Sequence, residues 1–179
     1  MLIFFMKNAF NKTGIELEDI RYVSLSNGPG SFTGLRIGSA IAKGICYCTH
    51  SKLIEINSLD IIANKYTGGK KIISMIFSGM RTLEFYYCEY EKINGKLLRV
   101  SEYQSDKLEN ILKEGYDVVL NEKIREDIIK EFNITIPDLS EISNSHSHIE
   151  LTLEAIKEGK FGNYNISEPF YMSEFIPKI

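Results

Sequence analysis

The tetrapeptide Asn27-Gly28-Pro29-Gly30 is the feature that most constrains the fold of this 179-residue chain. Glycine and proline at this density mark a tight turn. The turn follows an apolar strand pattern at 21–26 and precedes a helical pattern over 35–48. A second strand pattern follows at 52–56, and a capped helix pattern continues to about residue 66. This strand–helix–strand–helix order predicts a parallel sheet whose strands are joined by crossover helices.

A helical pattern also opens the sequence. Apolar residues recur at helical spacing from Leu2 to Phe10, and Gly14 suits the left-handed end of a helix. Ile3 and Phe4 widen the apolar stripe beyond one face. We therefore expect this helix to be buried on two sides or to dock on a partner.

The second half of the sequence predicts a β-meander. Strand patterns cover 71–77, 83–90 and 96–103, and Asn94-Gly95 is a strong hairpin signal because both residues tolerate positive φ. With the first half, this predicts an α/β protein with two closely fused lobes. The predicted lobes are residues 1–69 and 70–179.

Two helix starts are predicted in the second lobe from capping residues. Ser105 is expected to cap a helix that Gly115 ends. Ser147 and Glu150 have the spacing of a capping box for the last helix.

The charge and cysteine content limit the class of protein. There are 21 Lys and Arg against 24 Asp and Glu, a net charge of −3, whereas binding nucleic acid as a main task needs concentrated positive charge. Cys46, Cys48 and Cys88 cannot form a disulfide framework and fit a reducing compartment. The apolar run near the start is far shorter than the ~20 residues that cross a bilayer, and no export signal is visible. A cytoplasmic location without membrane contact is therefore expected.

The loop from Gly28 to Gly34 enters a helix N-terminus, where free amides and the helix dipole favour anions. A phosphate-binding role is one interpretation, and a tight structural turn is the more frequent alternative. The loop is not a P-loop, because no Lys-Ser/Thr pair follows the last glycine at the required spacing. A Ser31 nucleophile would need a base and an orienting acid, and the local sequence supplies neither.

The helix after this loop has a face of small residues. Gly34, Gly38 and Ala42 lie four apart, so they share one face. Small residues at this spacing let another backbone approach closely. Two interpretations are open: tight packing within the chain, or contact with another chain.

The run from Gly28 to Gly38, followed by Ala42-Lys43-Gly44, closely resembles the signature of the TsaB (YeaZ) family of bacterial tRNA threonylcarbamoyladenosine biosynthesis. Glu168-Pro169-Phe170-Tyr171 resembles the family's C-terminal Glu-Pro-x-Tyr segment. The residues that carry the resemblance in the loop and helix start are Gly28, Pro29, Gly30, Ser31, Phe32, Thr33, Gly34, Arg36, Lys43 and Gly44.

A weaker similarity lies in the predicted meander. Arg81, Glu84 and Tyr86 resemble the family stretch Asp-Ala-Arg…Glu-Val-Tyr, although Gly79-Met80 replaces its Asp-Ala. Near Ser173, the arginine that usually follows the C-terminal tyrosine is also replaced.

The resemblance implies a two-lobed fold of the actin-like/sugar-kinase type with mixed sheets and a truncated N-terminal lobe. Family members begin with a strand carrying Ile-Asp-Thr and a hairpin, and this sequence has no such segment. We expect a chain without those strands to be less stable than a full-length relative, or to compensate through association.

The resemblance also implies a non-catalytic scaffold that binds and supports TsaD, the subunit that transfers threonylcarbamoyl to adenosine in tRNA. TsaE, an associated ATPase, is expected to join through the complex, tRNA to be contacted indirectly, and a homodimer to form through a similar surface. No metal or cofactor of its own is expected, and a nucleotide only at the interface with TsaD. The candidate partner-interface residues are Leu2, Phe5, Leu35, Gly38, Ile41, Ala42 and Ile45.

The alternative is an enzyme of the actin-like fold: a nucleotide-dependent phosphotransferase or hydrolase, or a protease-like protein. An ATPase of this kind needs an acidic residue in its first strand to hold metal, and the sequence lacks that strand. His146 and His148 are two apart, which suits a polar loop before a helix better than a metal site. Cys46 and Cys48 are expected on different helix faces and do not form a Cys-x-x-Cys motif.

Overall fold

The computed structural model describes residues 2–79, 83–120, 126–132, 134, 136–137 and 144–172. The α-helices in these ranges are α1 (Leu2–Thr13), α2 (Phe32–Thr49), α3 (Ser58–Lys65), α4 (Leu108–Ile111), α5 (Glu126–Glu131) and α6 (Asn144–Lys157), and a short 3-10 helix covers Leu17–Asp19. The strands are β1 (Tyr22–Ser26), β2 (Lys52–Ile56), β3 (Lys71–Gly79), β4 (Glu84–Ile93), β5 (Lys96–Arg99), β6 (Gln104–Lys107) and β7 (Asp117–Leu120).

The strands form two sheets. β1 and β2 pair in parallel with α2 as their crossover, as the strand–helix order predicted. The second sheet has the order β5-β4-β3-β7, and β6 also pairs with β4. In this sheet β7 runs parallel to β3, and the other pairs are antiparallel. The predicted α/β fold with mixed sheets is therefore confirmed.

The five-stranded sheet is covered by apolar side chains on both faces. On one face Ile72 packs with Leu59 and Ile62 of α3. On the other face its neighbour Ile73 packs with Phe85 and residues of α4. Successive strand residues point to opposite faces, so a continuous apolar run such as that of β3 fits a strand covered on both sides.

Helix α6 lies against elements from the first part of the chain. Ala155 packs with Ile54 of β2 and Ile61 of α3, and a β-bridge joins Gly162 to Leu53. Residues after 144 thus contact both β2 and α3. The division into lobes at 69 and 70 stays a prediction.

The predicted helix start at Ser105 is wrong. Ser105 lies in β6, where it is paired with Tyr86 of β4. The reason is that β4 is longer than β5, which pairs only with the last four residues of β4. Residues 84–87 of β4 therefore remain available on that edge, and β6 pairs with them. Pairing that edge satisfies its backbone groups, so the helix begins only at Leu108.

The predicted capping box of the last helix is also wrong. α6 begins at Asn144, and Ser147 lies within it. The buried Ser147 hydroxyl donates to the carbonyl oxygen of Ile61 at 2.7 Å, so it ties α6 to α3. Glu150 accepts a hydrogen bond from Asn64 Nδ2 at 3.0 Å instead.

Within the described ranges, no helix is long and apolar enough to span a membrane.

Candidate functional site

The motif loop, residues 27–34, is anchored to the end of β2 and the start of α3. Asn27 N donates to Ile56 O at 3.1 Å, and Ser58 N donates to Gly28 O at 2.8 Å. Ser31 is the N-cap of α2, and its hydroxyl accepts a hydrogen bond from Gly34 N at 3.4 Å. The glycine-proline turn thus fixes where α2 starts relative to the sheet.

The C-terminal motif crosses this loop. Phe170 N donates to Asn27 O at 2.7 Å. Gly28 has φ +119°, and a Cβ built there would lie 2.6 Å from the carbonyl oxygen of Phe170. Glycine is required at 28 for both the backbone conformation and the close approach. The two segments that resemble the family, far apart in the sequence, therefore meet here.

Aromatic and cationic contacts hold the same segment to α2. The Arg36 guanidinium lies 3.9 Å from the ring centroid of Phe32, and its Nε donates to the hydroxyl of Tyr171 at 3.3 Å. The rings of Phe32 and Tyr171 are 5.2 Å apart. These contacts give Phe32, Arg36 and Tyr171 a common structural role, because they join the first turn of α2 to the C-terminal segment.

A buried polar cluster supports the other side of the C-terminal segment. The Phe170 ring packs edge-on against Tyr103 at 5.3 Å. The hydroxyls of Tyr103 and Tyr90 donate to the two carboxylate oxygens of Asp60, at 2.9 and 2.7 Å. Burial, followed by the Asp60 charge, raises the pKa of Tyr103 above its ordinary value. Burial and the same carboxylate also raise the pKa of Tyr90. Both hydroxyls therefore stay protonated and keep donating at neutral pH.

The small-residue face of α2 serves the chain's own packing. Ala42 is 5% exposed and packs with Cys46 and Leu53. A Cβ at Gly38 would lie 3.2 Å from Leu25 Cδ1 of β1. Gly38 and Ala42 therefore follow the first of the two interpretations of this face, because both pack against the chain's own sheet. These two positions are therefore corrected from partner-facing to sheet-facing.

The other predicted interface residues remain accessible. Leu2 and Phe5 are exposed, and Leu35, Ile41 and Ile45 are half-buried. Within the motif, Gly28 and Pro29 are buried, and Phe32 and Lys43 are half-buried; the exposed members are Gly30, Ser31, Thr33, Gly34, Arg36 and Gly44. Arg81 lies outside the described residues.

Two exposed apolar side chains of α2 were not among the predicted interface residues. Ile37 is 50% exposed and Tyr47 is 71% exposed. They share the outer face with the exposed small residues Ala40 and Gly44, at positions 37, 40, 44 and 47. The sequence shows this helical spacing, but the prediction was based on the small residues at 34, 38 and 42, which lie on another face.

Helix α1 carries a larger exposed apolar surface. None of its residues is buried, and Ile3, Phe4 and Phe5 are 68%, 63% and 58% exposed. Monomeric proteins rarely expose contiguous apolar surface of this kind unless it binds something. We name α1 and the outer face of α2 (Ile37, Ala40, Gly44, Tyr47) the helical surface.

A cavity of about 400 Å³ lies beside the motif loop. Its polar wall includes Ser26, Ser58 and His148, and its apolar wall includes Ile61 and Met75. None of the described lining residues is Asp, Glu, Lys or Arg. In the part of the chain that the structure describes, no three His, Cys, Asp or Glu side chains cluster as metal ligands.

The two histidines of α6 do not converge. His148 Nε2 is hydrogen-bonded to Ser24 Oγ of β1 at 2.9 Å, and Ser24 Oγ also contacts Thr152 at 2.7 Å. His146 lies 3.4 Å from Glu150 instead. Burial lowers the pKa of His148 below its ordinary value of about 6.5. Its role is to join β1 to α6 as a neutral side chain.

We expect His148 to lower the free energy of unfolding of the chain in acid. Because its pKa is lower in the folded than in the unfolded chain, the unfolded chain binds more protons, and stability is lost as pH falls below about 6.5. One proton gives a slope of up to ~1.4 kcal/mol per pH unit. The free energy of unfolding, measured with urea from about pH 7.5 to about pH 5, should follow this slope in the wild type and in the control His146→Gln. In His148→Gln the slope should be absent. An unchanged slope in His148→Gln would assign the pH dependence to other groups.

Comparisons with known proteins agree with this geometry. The family model described as TsaD, tRNA N6-adenosine threonylcarbamoyltransferase, matches residues 2–163. The tRNA threonylcarbamoyladenosine biosynthesis protein TsaB of Buchnera aphidicola is 27% identical over 138 residues, 76% of this chain and 58% of that protein. TsaB of Escherichia coli is 30% identical over 90 residues, 49% of this chain and 38% of that protein. The chain thus spans about half the length of the curated relatives it matches.

A solved structure, YeaZ from Pseudomonas aeruginosa, superposes with a TM-score of 0.74 at 16% identity, over 96% of this chain and 82% of that one. This likeness defines the class as an α/β protein of the actin-like fold. The chain belongs to the TsaD family of tRNA N6-adenosine threonylcarbamoyltransferases and, within it, to the TsaB (YeaZ) members, whose curated relatives are tRNA threonylcarbamoyladenosine biosynthesis proteins.

Proposed function

We propose that this chain is a non-catalytic scaffold subunit that binds and supports a TsaD-family transferase in threonylcarbamoyladenosine modification of tRNA. The observation that carries the proposal is the helical surface, above all α1, none of whose residues is buried. Membership in this family supports the choice of a TsaD-family protein as the partner.

The chemistry of the helical surface suits a protein partner. Phe4 and Phe5 are large apolar anchors on adjacent positions. Burying one such side chain contributes about 1.5–3 kcal/mol, whereas association costs on the order of 4–15 kcal/mol. Several anchors are therefore needed, and Ile37 and Tyr47 add two from α2. Between them the small residues at 40 and 44 leave room for side chains of the partner.

The motif loop supports this surface by positioning α2. Ser31 caps the helix, Gly28 allows the C-terminal segment to approach, and Arg36 joins the first turn to that segment. The loop's role in this proposal is structural, which was the more frequent alternative in the sequence analysis. A partner then meets a preformed helix and does not need to order it.

The enzymatic alternative has weaker support. A nucleotide-dependent reaction at the motif loop needs carboxylates to hold metal and cations to hold phosphate. The described residues that line the neighbouring cavity include no Asp or Glu and no Lys or Arg. No observation on the described residues favours peptide hydrolysis. The phosphotransferase, hydrolase and protease-like alternatives are therefore weaker than the scaffold proposal.

The remaining partners follow from the scaffold role. We propose that a TsaE-family ATPase joins through the complex, that tRNA is contacted through TsaD, and that any nucleotide binds at the interface with TsaD. A homodimer through the helical surface would compete with the TsaD complex, since both would use the same residues. We propose that the complex works in the cytoplasm.

A transfer assay tests the scaffold role. A TsaD-family protein, with its TsaE-family ATPase and threonylcarbamoyl donor, is assayed for threonylcarbamoyl transfer to tRNA with and without this chain. We expect transfer to rise at least about tenfold with the chain, and the chain alone to give none. Transfer that is independent of the chain, or turnover by the chain alone, would contradict the proposal.

A further inference from the structure

The outer face of α2 lies on the side of the helix away from the chain's own sheet. The buried residues of α2 are Ser39, Ala42 and Cys46, and the last two pack against the sheet. Ile37 and Tyr47 are exposed on the outer face. An amphipathic helix normally keeps polar residues on its solvent side, so apolar side chains there indicate a surface that another molecule covers.

Cations without a carboxylate partner border this face. Arg36 and Lys43 are seven residues apart, so they lie on one side of the helix, about 10 Å from each other along its axis. Among the described residues neither forms an ion pair, and Arg36 donates only to the uncharged hydroxyl of Tyr171. α2 contains no Asp or Glu, and neither does α1, which carries Lys7 and Lys12. Both helices are thus positively charged in a chain of net charge −3.

This charge disfavours a second copy of the chain as the occupant. In a two-fold dimer the same surface meets itself, so Arg36 and Lys43 of one copy would face cations of the other. Neither helix has a carboxylate to place between them, and like charges placed opposite each other oppose association. A self-pair through α2 would therefore be weakest at low salt, where this repulsion is screened least.

The apolar side chains of this face favour a protein over a nucleic acid. Phosphates would suit the cations, but Ile37 has no polar group for a phosphate. Protein interfaces have the arrangement found here, an apolar centre with a polar rim in which arginine is frequent. The face therefore fits a polypeptide that carries carboxylates at its own rim.

We propose that the TsaD-family partner covers α2 with an acidic, amphipathic segment. Its apolar side chains lie on Ile37 and Tyr47, and its carboxylates lie opposite Arg36 and Lys43, about two helical turns apart. This assignment depends on the proposed function and adds the chemistry by which α2 distinguishes the partner from a second copy of the chain. Such rim charges act mainly on specificity and on the rate of association.

Charge reversal at Lys43 tests the proposal. Titration calorimetry should show that Lys43→Glu weakens binding to a TsaD-family protein at least about tenfold at ~50 mM salt, because like charges then meet. At ~500 mM salt the loss should shrink to about threefold or less through screening. The matched control is Lys157→Glu, which changes the net charge equally at an exposed position of α6 and should bind within about twofold of the wild type. If Lys43→Glu fails to fold by circular dichroism, Lys43→Gln decides, with an expected loss of about threefold at low salt.

The salt dependence of the wild-type chain gives a second readout. Its affinity for the TsaD-family protein should fall from ~50 to ~500 mM salt, whereas any self-association, measured by sedimentation equilibrium, should strengthen. A self-pair that is stronger at low salt would overturn the proposal.

Three further outcomes separate this proposal from the scaffold role. Equal binding by the wild type, Lys43→Glu and Lys157→Glu at low salt would overturn the proposal and leave the scaffold role intact. No complex with the wild-type chain at either salt would contradict both. Binding of tRNA to the chain alone that is lost in Lys43→Glu and kept in Lys157→Glu would assign the cations to phosphate and overturn the proposal.

Discussion

Gly28→Ala lowers the free energy of unfolding by about 3 kcal/mol or more. The φ of +119° is a conformation that residues with a Cβ rarely adopt, and such backbone strain costs on the order of 1–3 kcal/mol. The added Cβ would also lie 2.6 Å from the carbonyl oxygen of Phe170. That atom belongs to the backbone and cannot rotate away, so the C-terminal segment must move off the loop. Urea unfolding followed by circular dichroism measures the loss.

Gly30→Ala is the matched control in the same loop. A Cβ at Gly30 meets nothing within 4 Å, and its φ is not in the positive range. We expect a change within about 0.5 kcal/mol, as for ordinary surface substitutions. Equal effects of the two substitutions would show that the contact between Gly28 and Phe170 does not hold the loop.

Phe5→Asp and Ile37→Asp each weaken binding to a TsaD-family partner at least about 30-fold, equivalent to about 2 kcal/mol. Phe5 is 58% exposed and Ile37 is 50% exposed, so the charges enter water in the free chain and stability should change little. In the complex each carboxylate would be buried without a partner, which is costly. Titration calorimetry measures the affinity, and thermal unfolding of the free chain verifies the fold.

Ile149→Asp is the control for these variants. Ile149 is a helical residue with the same 58% exposure as Phe5, but it lies on α6. The Ser24 face of β1 contacts α6, whereas Val23 and Leu25 contact α2, so α6 and α2 cover opposite faces of this sheet. Normal binding by Ile149→Asp is expected. Equal weakening by all three variants would place the interface elsewhere or indicate a general effect of added charge.

Gly38→Arg would not be informative, although the sequence suggested this position for the interface. The new side chain would start 3.2 Å from Leu25 Cδ1. A loss of binding could then come from displacing α2 from its own sheet. Ile37→Asp therefore tests binding without disturbing the fold, whereas Gly38→Arg does not.

The elements were predictable where local signals agreed with packing. The glycine turn, the Asn94-Gly95 hairpin and the left-handed Gly14 each depend on backbone conformations that few residues adopt. Ser105 and Ser147 were misassigned because a capping residue is also a good partner in a strand or in a buried hydrogen bond. For Ser105 the long edge of β4 decided the outcome, and for Ser147 the carbonyl group of Ile61 did.

The site was predictable only in part for a similar reason. The family resemblance identified both segments that meet at Gly28, but their contact joins residues far apart in the sequence and no local pattern contains it. A helix face of small residues can pack against the chain's own sheet or against another chain. The sequence alone therefore could not tell which face of α2 contacts the sheet. The tyrosine pair on Asp60 was missed, because its members come from α3, β4 and the segment after β5.

The central claim is that the chain forms a specific complex with a TsaD-family transferase. Light scattering after size exclusion, on the chain alone, on the transferase alone and on their mixture, tests it most directly. We predict a one-to-one complex that replaces any self-associated form of the chain and is lost in Phe5→Asp. Two species eluting unchanged from the mixture, with the chain folded by circular dichroism, would contradict the scaffold role.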